Sequence, residues 1–157
     1  MTPTPPTLDD LLAQEADLLL SRFDYATAWQ IGAFIQAEAS RRNLPIGIEV
    51  SHGATPVFLA LMPGSTPDNV DWVRRKRAVA LRFYHSSLYM RLLCESKQWN
   101  FAARYRLPDS DYAASGGGVP ICVRDVGVVG AVAVSGLPDV EDHRLAVQAL
   151  RSVAALS

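Results

Sequence analysis

Two stretches of this chain are each built to fold back on themselves, and this constrains the architecture more than any other feature. In residues 46–62, "IGIEVSHGATPVFLALM", Ile46, Ile48 and Val50 alternate with Gly47, Glu49 and Ser51; a turn near His52-Gly53 then leads back through Val57 to Met62. In residues 118–135, "GVPICVRDVGVVGAVAVS", two β-rich runs meet around Asp125-Val126-Gly127. Alternation with period two marks a half-buried strand, and runs joined by a few turn residues pair antiparallel. Parallel pairing would need a crossover of a dozen or more residues inside each pair, and neither has one. The long helical block between the hairpins must then pack on the sheet they form. The expected fold class is α+β, an antiparallel sheet flanked by helices, rather than a parallel nucleotide-binding sheet.

Helix signals surround these hairpins. Thr7, with Asp10 three residues later, predicts a helix start before "LLAQEADLLL" and a helix running to about Asp17. Residues 18–23 suit a short strand as well as a continuation of that helix. From Tyr25 to Arg42, Ala28, Ile31, Ile35 and Ala39 recur at steps of three and four, which places them on one helical face. Thr66 followed by Pro67 starts a helix through "VRRKRAVALRF"; "YHSS" breaks it and "LYMRLLCESKQ" resumes it. Asp139 with Asp142 predicts the cap of a final helix to about Leu156. Residues 1–6, rich in Pro and Thr, read as a flexible tail, and residues 7–157 as a single domain, because no linker or repeat divides them.

Composition removes several functional classes. The chain is 49% apolar and 20% charged, enough apolar surface for a packed core, and its formal net charge of −1 draws neither nucleic acid nor anionic lipid. No recognition motif for RNA and no apolar run of membrane-spanning length is present. The opening "MTPTPPTLDD" lacks the basic and apolar regions of an export signal, so a cytoplasmic protein is expected. Cys94 and Cys122 share no metal-ligand spacing and read as reduced packing residues.

Three consecutive glycines, Gly116, Gly117 and Gly118, precede the strand that begins the second hairpin. A phosphate loop sets its glycines before a helix, whose amides bind the anion, so these are not one. They shape the entry to the strand and leave open a close approach by another backbone or by a flat ligand.

The run "RRKR", Arg74 to Arg77, sweeps about 300° around a helix, so at least one of the four must point inward. Arg77, one turn from Val73, is expected there, with an acidic side chain or a bound anion as partner. Asp139, Glu141 and Asp142 are the acidic candidates. Among the histidines, His52 falls in a hairpin turn, His85 at the helix break and His143 in the first turn of the last helix. None fits a compact metal motif, and no GxSxG elbow supports a serine hydrolase. Trp72, Trp99, Phe101 and Tyr105 read as core or interface anchors, with an apolar pocket as the alternative.

"GGGVPI", residues 116–121, followed by "GVVGAVAVSGLPDVEDH", residues 127–143, resembles the haem-degrading domain family of GlcG-like and HbpS-like proteins. "TPDNVDWVRRKRAVALRFYHSS" resembles its uncharacterised cytosolic branch. The resemblance implies a profilin-like fold, assembly into a homo-oligomer, and haem as a possible cofactor. It carries over to Gly116, Gly117, Gly118, Pro120 and Ile121 and to Ser135 and Gly136. Arg77-Ala78 would match a basic-residue-Ala step in the long helix, where relatives usually have lysine. The candidate ligand-binding residues are therefore Arg74, Arg77, His85, Gly116, Gly117, Gly118, Ser135, Gly136 and His143, with no metal site expected. Three functions remain open. They are a homo-oligomeric protein binding a small anionic or haem-like ligand, a scaffold acting through its assembly, and a haem-binding or haem-degrading enzyme.

Overall fold

The computed structural model describes residues 4–156 and starts most helices where the chain supplies a cap. Helix α1 (Leu8–Asp17) begins at Thr7 and α2 (Tyr25–Arg42) at Asp24. In both, the cap side chain and the residue three further on exchange hydrogen bonds with each other's backbone amides. The first hairpin is β1 (Gly47–His52) and β2 (Thr55–Leu61). Helix α3 (Pro67–Phe83) opens on its proline and stops where Tyr84 turns left-handed. Ser86 then accepts the Tyr89 amide to start α4 (Ser87–Lys97), so "YHSS" is a joint between two helices. A short α5 (Phe101–Tyr105), the hairpin β3 (Gly118–Val123) with β4 (Gly127–Ser135), and α6 (Asp139–Ala154) complete the chain.

The four strands form one antiparallel sheet in the order β2-β1-β4-β3, with the two hairpins joined through β1 and β4. Alternation along the central pair sends Ile48, Val50, Val132 and Val134 to one face. There they pack with Ile31 and Ile35 of α2 and with Leu145 and Leu150 of α6 in a fully buried core. The opposite face carries Glu49, Ser51, Ala131 and Ala133 and receives α3. Small residues there let the helix lie close. The α+β sheet flanked by helices is thus as expected.

Two local readings differ from the sequence expectation. Residues 18–23 form neither a full strand nor a helical extension. Leu18 and Leu20 are buried, and Leu20 alone bridges β3 in parallel, its amide donating to Cys122 and its carbonyl accepting from Arg124. The last helix starts after Pro138, with no side-chain cap, and ends at Ala154. Asp142 does not cap it because its carboxylate accepts from the amides of Gly136 and Leu137 in the preceding turn. The expected tail lies partly outside the described residues, and the Thr4 carbonyl accepts from Arg144. Among the described residues no helix is long and apolar enough to cross a membrane.

Candidate functional site

On α3, Val73, Lys76 and Ala80 follow one another at steps of three and four, and all are buried. Lys76 is therefore the basic residue set on the inward stripe, its side chain 3% exposed. Its ammonium donates to the Val134 carbonyl at 2.9 Å and to Asp142 Oδ2 at 3.1 Å, and Asp142 is 1% exposed. The ion pair ties α3 to the start of α6 across the end of β4.

The glycine loop wraps this lysine. Gly117 has φ of 137°, and a Cβ there would overlap the Val134 carbonyl and stand 2.9 Å from Lys76 Nζ. Only glycine meets both demands. Its neighbours are pinned by side chains: the Gly116 amide donates to Asp139 at 3.0 Å, and the Gly118 amide to Ser87 Oγ at 2.9 Å. Arg91 holds Asp139 from behind at 2.6 Å. Asn69 Nδ2 donates to the Ser135 carbonyl and hydroxyl at 3.3 and 3.2 Å. Between these groups lies an open cleft of about 320 Å³, walled by Asp68, Asn69, Trp72, Lys76, Ser135 and Asp139.

Burial sets the electrostatics of the pair. Loss of water pulls the Lys76 ammonium below its ordinary value against the attraction of Asp142, and pushes the Asp142 carboxyl up to about 6 against the attraction of Lys76. Both shifts favour the uncharged forms, so the two groups share a proton more evenly than a surface pair does. Asp139 also loses water, yet the Gly116 amide and Arg91 hold it below the usual carboxylate range. Lys76 answers Asp142 and Arg91 answers Asp139, so among the described residues the cleft leans acidic by Asp68 alone.

The remaining candidates lie elsewhere. Arg77 is turned inward but toward β1, where Nη1 meets Glu49 Oε1 at 2.7 Å; neither reaches the "DVEDH" carboxylates. Burial raises the Glu49 carboxyl despite Arg77. Arg74 turns outward to Asp71, Asp111 and the Ser110 carbonyl. His85 Nδ1 lies 2.8 Å from Glu15 of α1, and its ring packs on Tyr89. His143 is buried with Nε2 2.7 Å from Gln14 Oε1, also on α1, and burial pulls it down to about 4, so it is neutral at pH 7. His143 Nδ1 is buried and has no hydrogen-bond partner among the described residues. Of the predicted set, Ser135 and Gly136 line the cleft, the Gly116–Gly118 loop packs behind it against Lys76 and Asp139, and Arg74, Arg77, His85 and His143 lie elsewhere.

The chain as a whole has counterparts among known proteins. The sequence profile described as "Haem degrading protein HbpS-like" matches residues 23–151, most of the chain. The chain belongs to the HbpS-like family. A UPF0303 protein of Streptomyces avermitilis is 45% identical over 146 residues, covering 93% of this chain and 90% of its own. Among solved structures, the Ybr137w protein superposes with a TM-score of 0.85 and 31% identity, over 95% of this chain and 88% of that one. A PduOC:Heme complex has a TM-score of 0.70 at 14% identity, covering 83% and 94%, a likeness of fold alone. The matched span includes the Gly116–Gly118 loop and the Ser135–Gly136 turn, and α1 lies outside it. Lys76 and Asn69 were missed from sequence, and Asp142, an acidic candidate there, was expected to pair with Arg77 rather than Lys76. The 73–76–80 stripe was the available signal for Lys76.

Proposed function

We propose that this protein acts in the cytoplasm as a homo-oligomeric small-ligand-binding protein of the HbpS-like family, and that the ligand enters the cleft over Lys76. One observation carries the reading: a buried Lys76–Asp142 pair stands in the wall of an open cleft where the glycine loop and the Ser135–Gly136 turn meet. Buried pairs seldom stabilise more than apolar side chains of the same volume, so a pair kept beside an opening has a use there. The acidic lean of the cleft favours an uncharged polar ligand over the anion expected from sequence. Assembly is supported by the open edge of β2 and by Tyr25, Trp29, Leu59 and Leu61, exposed around it at 63%, 58%, 50% and 45%. Native mass spectrometry tests both parts. A discrete oligomer is expected, broken to monomer by Trp29→Glu, and a monomeric wild type overturns the assembly.

Haem is the second reading, suggested by the family's description and by the haem-bound neighbour. His143 does not fit it, because the residue is 2% exposed, its Nε2 is held by Gln14 of α1, and it lines neither the Lys76 cleft nor the cavity beside His52. His52 fits better: its exposed ring stacks on Phe23 at the rim of a cavity of about 490 Å³ walled by Phe23, Tyr25 and Ala26. There His52 would ligate the iron, and the iron would supply any oxidative chemistry. Haemin titration followed at the Soret band decides. His52→Ala should abolish a shift that His143→Gln leaves intact, and a wild type that gives no shift removes this reading.

A further inference from the structure

Lys76 and Lys97 are the two lysines of the chain, against thirteen arginines. Lys97 is exposed at the end of α4, whereas Lys76 faces the cleft. Arginine would hold a structural charge there without losing its proton, whereas a lysine amine can become a nucleophile. Two of its three donor positions are taken, by Val134 and Asp142, which leaves one without a protein partner among the described residues, on a side chain that lines the cleft. Ser135 supplies a hydroxyl that accepts from Asn69 and donates to no protein acceptor among the described residues, so it can donate to a ligand oxygen in the same cleft.

We propose that Lys76 binds a neutral aldehyde or ketone covalently, as an imine, in this cleft. This rests on the cleft being the ligand site. The Lys76 lone pair attacks the carbonyl carbon, and the carbonyl π pair moves to oxygen, which hydrogen-bonds Ser135 and takes the proton of the Asp142 carboxyl. The nitrogen returns a proton to Asp142, which gives a neutral carbinolamine. Asp142 then protonates the hydroxyl, water leaves, and the nitrogen lone pair forms C=N. The products are an iminium, a carboxylate and water, so the charge pair of the resting site is restored without any oxidant or reductant. Burial favours the two neutral forms that begin the sequence, and the iminium keeps its positive charge beside Asp142. An acidic wall would repel an anionic carbonyl compound and tolerate a neutral one, and Trp72 offers an aromatic ring to the rest of the ligand.

Benzaldehyde with sodium cyanoborohydride at pH 7, on the full chain, reads the step. The reductant fixes the imine as a benzylamine, and peptide mass spectrometry locates it. Lys76 should be modified about tenfold faster than the exposed Lys97, because desolvation favours its neutral, nucleophilic amine. The preference should vanish in urea, a control that does not depend on any variant folding. Lys97→Arg should keep the adduct and Lys76→Met should lose it. Equal or slower modification of Lys76 overturns the proposal. Benzamide, which shares the ring and carbonyl but forms no imine, separates the two levels through amide NMR shifts at Gly116–Gly118 and Gly136. If benzamide moves these signals while Lys76 stays unmodified, imine chemistry falls and the cleft reading stands. If neither occurs, both fall.

Discussion

The buried imidazole of His143 makes stability depend on pH in a way that can be isolated. Its ordinary value of 6.5 is pulled down to about 4 by burial, and it is 2% exposed, so solvent screens little of the effect. The unfolded chain takes up a proton near 6.5, and the folded chain resists doing so until about 4. Stability from this group is therefore complete above 6.5 and is lost as the pH falls toward 4. A shift of ~2.5 units at ~1.4 kcal/mol per unit sets the loss at ~3 kcal/mol. Asp142 works in the opposite direction. Its carboxyl is raised from 3.8 to about 6, so its contribution is complete below 3.8 and lost as the pH rises through 6. The two nearly cancel in the wild type, which hides both. His143→Gln keeps a polar partner for Gln14 and removes the titration. Urea unfolding of both proteins between pH 7.5 and 4 should show the stability of the wild type relative to the variant falling by ~3 kcal/mol on acidification. A difference that stays level would mean that His143 accepts its proton in the folded state and that its Nδ1 has a partner in solution, which would refute the reasoning.

Other substitutions give separate readouts. Lys76→Met leaves Asp142 buried without its cation and should cost ~3 kcal/mol in urea unfolding at pH 7, with much of that recovered by pH 5 as the carboxyl takes a proton. Arg77→Ala should cost a similar ~3 kcal/mol by stranding Glu49, which is 4% exposed; unchanged thermal melting would mean that the pair is solvated. Gly117→Ala sets a Cβ against the Val134 carbonyl at positive φ and should cost ~3 kcal/mol or more, seen as a lowered Tm.

Local chemistry made much of the fold legible. Thr7, Asp24, Thr66 and Pro67 mark helix starts because a cap is a short-range bargain between neighbouring residues. The hairpins are legible because alternation and turn residues are short-range too. What escaped was decided across the sheet. Leu20 bridges β3 only because Leu18 and Leu20 fill the core beside it, a contact between residues a hundred positions apart. Asp142 reads as a helix cap and instead serves a turn and a distant lysine. In "RRKR" the reading that at least one basic side chain must enter was sound, and two do so, in different directions. Lys76 goes to the end of β4 and Arg77 to β1, and only the placement of α3 over the sheet separates them. The glycine and Ser-Gly motifs were visible in sequence, while their meeting around one lysine was not.

The two outer strands are finished differently. The Leu20 bridge gives β3 a neighbour, whereas β2 presents its backbone to whatever comes next. A sheet with one usable margin cannot polymerise by strand addition, since the first partner to dock consumes the only place for a second. Two copies meeting there would be related by a twofold axis and would stop at a pair. Any larger assembly would have to grow through helices, so growth along strands and growth along helices could be separated by mutation.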